Sequence, residues 1–211
     1  MSKVADGSGN VYTMAEGHVI DTEITRKKFK HMLNCSRAKS VFEIGFNGGH
    51  SARLMLDIMK DDPDFRLHSV DICQHEYTEP LARQLEKRDP RFTFQKADSK
   101  DLLGSDLHGY DMLFIDGDHT EDGVRNDLLL ALESGIGYIL IDDYNYEQNP
   151  QCARIAAAVD SFVGDIQHKL CFFGKPLHYE CSDGENKMRL CIAYSHVHLH
   201  DKITRNHFKK Q

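Results

Sequence analysis

The feature that most constrains this chain is the alternation of short apolar runs with amphipathic segments from Ser40 to Val163. The spacing predicts strands at Ser40–Gly45, Leu67–Asp71, Phe92–Gln95, Tyr110–Asp116 and Tyr138–Asp142. Helical spacing predicts helices over Ser51–Met59, Pro80–Lys87, a short one near Ser99–Leu103, then Glu121–Glu133 and Cys152–Val163. Strands that alternate with helices imply βαβ units, and right-handed crossovers cover both faces of a parallel sheet. Two more β-like runs, Leu170–Phe173 and Met188–Tyr194, flank the turn-rich stretch Gly174–Asn186, which points to an antiparallel close. The expected fold class is therefore α/β: a Rossmann-like, doubly wound, seven-stranded sheet, mostly parallel with an antiparallel final strand. A helix at Ile24–Leu33 precedes it. Residues 1–20 show no period and read as an arm, 21–197 as one domain, and 198–211 as a polar basic tail.

In open sheets of this kind, ligands bind beyond the carboxyl ends of the strands. The carboxyl ends of the five predicted parallel strands carry, in turn, Glu43 to Gly49, Asp71, Asp98-Ser99, Asp116 to His119, and Asp142-Asp143. Every one of these ends holds an acid or a glycine-rich turn, a pattern that packing does not require.

The first of these turns, Glu43-Ile44-Gly45-Phe46-Asn47-Gly48-Gly49-His50-Ser51, joins an apolar strand to a helix. Glycine suits a sharp turn that a ligand approaches closely. The turn lacks both the G-x-G-x-x-G spacing of dinucleotide folds and the Gly-Lys-Ser/Thr ending of a phosphate loop. Glu43 inside it would repel a pyrophosphate but could hold an amino group nearby. Asp71 is placed to accept ribose hydroxyls, and Asp98 and Ser99 to meet an adenine edge. An amino-acid end, a ribose and an adenine together describe S-adenosylmethionine better than a nicotinamide dinucleotide.

These residues resemble a known family. Val41 to Ser51 looks like motif I of class I S-adenosylmethionine-dependent methyltransferases, especially the catechol O-methyltransferase type with its E-x-G-x-x-x-G-x-S loop. Asp111 to His119 resembles the D-x-x-F-I-D-G-D-H of the macrocin-type and other sugar O-methyltransferases, and the likeness spans roughly Ala38 to Tyr146. It implies methyl transfer to a hydroxyl of a small acceptor, with Glu43, Gly45, Phe46, Asn47, Gly49, Ser51, Asp71, Ile72, Asp98, Ser99 and Asp116 around the cofactor. It also implies Mg²⁺ on Asp116, Asp142 and Asp143; the Asp-Asp pair is closer to the sugar-methylating branch than to the Asp-Asn of the catechol type. Crowded carboxylates repel one another, and a hard cation relieves that conflict. His119, or else Asp118, is the candidate general base, because an imidazole titrates near neutrality. Asp127 reads as a solvated helix acid. The rival readings are a metal-free enzyme that methylates nitrogen or a macromolecule, and a Rossmann-like module that binds a nucleoside without catalysis.

The net charge of −7 argues against a general nucleic-acid partner, leaving only the basic residues of the tail, Lys202 to Gln211, to suggest one. No apolar run approaches the roughly 20 residues of a membrane span, and no secretory signal pattern opens the chain. The expectation is a soluble, cytoplasmic protein, with an arm that could dock on a second copy. Six scattered cysteines without a CxxC pair read as reduced core residues. His196, His198 and His200 alternate like ligands on a strand, though a strand end before a polar tail needs no metal.

Overall fold

The computed structural model describes residues 3–6, 9–14, 19, 21–136, 138–144, 150–169, 177–180 and 189–193. A short antiparallel hairpin, β1 (Lys3–Ala5) and β2 (Val11–Thr13), comes first, and α1 (Glu23–Ser36) is next. The Thr22 hydroxyl caps α1 by accepting from the Thr25 N–H at 3.1 Å. Then come β3 (Ser40–Ile44), α2 (His50–Ile58), β4 (Arg66–Asp71), α3 (Thr78–Arg88) and β5 (Phe92–Lys96). Two 3₁₀ turns, Ser99–Asp101 and Gly104–Leu107, replace a full helix before β6 (Met112–Ile115). The chain continues through α4 (Glu121–Ser134), β7 (Tyr138–Ile141), α5 (Pro150–Lys169), β8 (Leu177–Glu180) and β9 (Arg189–Ala193).

The sheet order is β5-β4-β3-β6-β7-β9-β8. The first five run parallel, and β9 pairs antiparallel with both β7 and β8. The order reverses beside β3, so β3 and β6 flank the switch point where a ligand cleft opens. The doubly wound α/β reading and its antiparallel final strand agree with this arrangement. The run expected at 170–173 lies outside the described residues, and β8 falls instead within the stretch read as turns.

Alternation along the strands divides the core between two faces. Leu113 and Ile115 of β6 pack with Phe42, Ile139, Ile141 and the inner faces of α4 and α5. Met112 and Phe114 face the other way, onto Phe29 and Leu33 of α1, Met55 of α2 and Leu81 of α3. All four β6 side chains are buried, which is why this strand reads as a continuous apolar run rather than an alternating one.

The N-terminal segment is not a free arm. Met14 is 2% exposed, Val4 and Tyr12 pack against the core beneath α1 to α3, and the Tyr12 and Tyr77 rings lie 6.3 Å apart. Too short to show a period, the hairpin is held by these long-range contacts and by the Tyr12 hydroxyl, which donates to Asp6 at 3.0 Å. Among the described residues no helix is long and apolar enough to cross a membrane. Cys152 is buried and Cys73 partly exposed, and neither is in a disulfide. The three tail histidines and the basic tail lie outside the described residues.

Candidate active site

The glycine loop leaves β3 directly and is shaped by its neighbours. Gly45 has φ +97°, and a Cβ there would lie 1.9 Å from the Asp116 carbonyl oxygen. The β3 and β6 ends are laced at that point, with Asp116 N–H donating to the Ile44 carbonyl at 2.8 Å. Gly49, at φ +70°, leaves room for the Phe46 ring and starts α2. Asp71, ending β4, holds the loop from the side. Its Oδ2 accepts from the Phe46 and Asn47 N–H groups at 2.9 and 2.8 Å, and its Oδ1 from the Cys73 N–H at 2.7 Å. A carboxylate offers about four lone-pair sites, so a bound ribose would share Asp71 with the loop. Asn47, at φ +47°, is fixed further by the Tyr77 hydroxyl, which donates to its Oδ1 at 2.8 Å. Ile72, just past Asp71, is 51% exposed.

Four expected contact residues are enclosed instead of open. Glu43 is 0% exposed, and its two oxygens accept from the Ser51 and Ser69 hydroxyls. The register of β3 on β4 pairs Glu43 with Ser69, while α2 brings Ser51 over the top. Burial pushes the Glu43 carboxyl up to about 7, against the two serines that favour its ionised form, and nearby Asp116 and Asp71 add to the rise. In this arrangement Glu43 offers no surface to an amino group; it braces the loop from beneath. Phe46 is buried among Phe92 and Phe94 and presents only its backbone to the loop. Ser99 is buried as well, while Asp98 is half-buried and caps the 3₁₀ turn by accepting from the Lys100 N–H at 2.9 Å.

On the other side of Gly45 stand the acids at the ends of β6 and β7. Asp116, Asp142 and Asp143 are partly exposed. Burial raises the Asp142 carboxyl well above the usual range, and the charges of Asp116 and Asp143 push it further. Asp143, at φ +58°, folds back so that its N–H donates to Asp142 Oδ1 at 2.9 Å. His119 sits among them: its Nε2 is 3.4 Å from Asp116 Oδ1 and its Nδ1 3.8 Å from Asp143 Oδ2. Gln151, at the start of α5, meets the same Nδ1. Hydrogen bonding to Asp116 raises the imidazole to about 9 against the opposing effect of burial, with the charges of Asp116, Asp143 and Asp142 assisting.

The donor chemistry of the three aspartates suits a hard cation, but their spacing does not. Among the described residues, no three or more His, Cys, Asp or Glu side chains are gathered as a metal site. Here the acid cluster meets its charge conflict with a protonated imidazole. Asp118, the alternative base, is committed elsewhere. Lys100 Nζ lies 2.7 Å from its Oδ2 and the Thr120 N–H donates to its Oδ1 at 3.0 Å. Burial works against ionisation there, yet these partners hold its pKa below the usual carboxylate range.

Residues 42–144 match a family model described as a methyltransferase domain. This segment is a methyltransferase domain. The match takes in the glycine loop, Asp71, the Asp116–His119 run and the Asp142-Asp143 pair. A stretch of 69 residues is 44% identical to an uncharacterized protein of Acanthamoeba polyphaga mimivirus. That stretch spans 31% of this chain and 30% of the mimivirus protein, less than a third of its length. Solved structures extend the likeness along the chain. The O-methyltransferase TomG from Streptomyces achromogenes, involved in tomaymycin synthesis and solved with SAM, superposes with TM-score 0.56 at 16% identity over 83% of this chain and 82% of that one. An O-methyltransferase from Bacillus cereus with bound SAH gives TM-score 0.57 at 13% identity over 82% of each. The N-methyltransferase NodS from Bradyrhizobium japonicum, also with SAH, gives 0.53 at 13% over 83% of this chain and 90% of that one. At these identities the shared property is the fold.

The chain also holds residues whose placement sequence reasoning missed. Asp127 of α4 is 0% exposed, so it is no solvated helix acid. Its spacing from Val124, Leu128 and Ala131 on the inner face of α4 was the available signal. Met14, whose methyl group would touch a Cβ at Gly48, had no local signal. Tyr144 leans on the core and donates from its hydroxyl to Asp160 at 2.7 Å, a packing role.

Proposed function

We propose that this methyltransferase moves a methyl group from S-adenosylmethionine to a hydroxyl of a small acceptor. The observation that carries the reading is the abutment of Gly45 and Asp116, which gives the cofactor loop and the His119 cluster a common wall. The fold shared with O-methyltransferases solved with SAM or SAH supports the donor. In the proposed complex, the amino-acid end of the donor lies along the Gly45–Gly49 turn, the ribose at Asp71, and the adenine between Ile72 and Asp98-Ser99. The acceptor oxygen attacks the methyl carbon in line with the breaking carbon–sulfur bond, leaving S-adenosylhomocysteine, and its proton passes to His119. His119 is favoured over Asp118 because Lys100 and Thr120 hold Asp118 ionised and occupied.

The Mg²⁺-assisted form of the reading assigns Asp116, Asp142 and Asp143 to the cation. Their mutual crowding supports it, although among the described residues they are not gathered as a metal site. Calorimetry with S-adenosylmethionine, with and without Mg²⁺, tests the whole reading. Absence of cofactor binding would sink it, and turnover indifferent to Mg²⁺ would remove the cation. Asp143→Ala is expected to abolish turnover with cofactor affinity nearly unchanged.

A further inference from the structure

Asn47 sits in the glycine loop at φ +47°, a left-handed backbone that residues other than glycine adopt at a cost. Such a conformation persists where its surroundings over-determine it, and it gathers where ligands are clamped. Asp71 supplies one restraint, its Oδ2 accepting from the Asn47 N–H at 2.8 Å. The second comes from α3. The Tyr77 hydroxyl donates to Asn47 Oδ1 at 2.8 Å, across 30 residues of sequence. Tyr77 is buried, and it precedes α3 without capping it through its side chain. A phenylalanine would fill the same space, so packing alone does not call for the hydroxyl.

Tyr77 is itself held. His75 stacks on its ring, with the planes 9° apart and the centroids 5.1 Å apart. Tyr12 of β2 lies 6.3 Å away, its ring tilted. The Tyr12 hydroxyl donates to Asp6 Oδ2 at 3.0 Å, and the same carboxylate accepts from the Asn10 N–H and side-chain amide, each at 3.0 Å. These bonds close the β1–β2 hairpin. Just past β2, Met14 sets its methyl group against Gly48, where a Cβ would stand 2.6 Å from it. The N-terminal segment therefore reaches two consecutive loop residues. It backs Asn47 through Tyr12 and Tyr77, and it meets Gly48 through Met14.

We propose that Tyr77 is a positioning residue for the donor's amino-acid end: its hydroxyl sets Asn47, while the N-terminal segment backs Tyr77 and Gly48. This rests on the reading that lays that end along the Gly45–Gly49 turn, and it deepens that reading. Tyr77 and Met14 touch no ligand; they act through the loop.

The test is titration calorimetry on the full chain with S-adenosylmethionine and with 5′-methylthioadenosine, which lacks the amino-acid end. Tyr77→Phe keeps the ring and is expected to raise the Kd for S-adenosylmethionine about fivefold, the scale of one hydrogen bond. Its Kd for 5′-methylthioadenosine is expected to match that of the parent chain. Asn47→Gly supplies a second arm, because glycine takes the left-handed turn without an anchor. In that background Tyr77→Phe is expected to change neither Kd, the non-additivity of two coupled residues. An unchanged Kd for S-adenosylmethionine in Tyr77→Phe, an equal loss for both ligands, or the same loss in the Asn47→Gly background would each overturn the proposal. Where one arm binds too weakly to read, the other decides. Should Tyr77→Phe fail to fold, Met14→Ala leaves the hydroxyl in place and is expected to show the same selective loss; an unchanged Kd there overturns the proposal. A parent chain that binds neither ligand would overturn the methyltransferase reading together with this one. Binding by the parent with indifferent variants would overturn this one alone.

Discussion

Gly45 and Asp116 are in backbone contact: a single methyl group on Gly45 would stand 1.9 Å from the Asp116 carbonyl oxygen. The contact ties the turn after β3 to the end of β6 across the switch point of the sheet. It fixes how far the donor's loop can stand from the residues that would handle the acceptor's proton. Gly45→Ala is therefore expected to cost about 2–4 kcal/mol, combining a left-handed backbone with overpacking, and to weaken cofactor binding. Urea unfolding measures the first effect, and a midpoint equal to that of the parent chain would contradict it.

Asp71 anchors the same loop from the β4 side through two of its backbone N–H groups, those of Phe46 and Asn47. Asp71→Ala is expected to raise the Kd for S-adenosylmethionine by roughly tenfold or more, about 1.4 kcal/mol. Titration calorimetry reads this directly. A Kd within twofold of the parent would mean that neither loop nor ribose relies on this carboxylate.

Glu43 supplies a pH-dependent prediction. Its pKa rises from 4.5 to about 7 on folding, so between those values the folded chain holds a proton that the unfolded chain releases. Stability therefore falls as pH rises from about 4.5 to 7, by roughly 3 kcal/mol for this group. Glu43→Gln cannot ionise, and its stability is expected to decline less steeply across that window. Unfolding curves for both proteins at pH 5, 6, 7 and 8 make the comparison, and parallel declines would refute it.

His119, held near 9 by Asp116 and its neighbours, must lose a proton before it can act as a base. Turnover at saturating substrates is expected to climb with pH through neutrality and level off near pH 9. His119→Ala is expected to lower it at least about 100-fold. Mg²⁺ binding to the aspartates would offset the negative charge that raises the imidazole, moving the plateau to lower pH. A flat profile from pH 7 to 9 without added metal would rule out His119 as the base.

Much of this was legible along the chain because it is local. The strand–helix alternation from β3 to β7 comes from side-chain periodicity, and parallel pairing from the helices between strands. The acidic strand ends are also sequence-local, since the residue after an inner strand of such a sheet lies at the cleft wherever the helices pack. The hairpin β1–β2 was not legible, because two three-residue strands carry no period and Met14 is fixed only by its contact at Gly48. Nor was the position of β8, in a stretch whose turn residues masked it.

By itself, then, the sequence determined the α/β class, the succession of strands and helices along the chain and which residues stand at the strands' carboxyl ends, all of which depend on spacing along the backbone. Only the tertiary structure decided which of those residues face the cleft. Glu43 and Ser51 close on each other beneath the loop, and Asp127 turns inward under Gly117. The three aspartates gather around His119 without forming a metal site. The reason is that burial and partner choice are set by which elements meet across the sheet, and side-chain identity does not encode them.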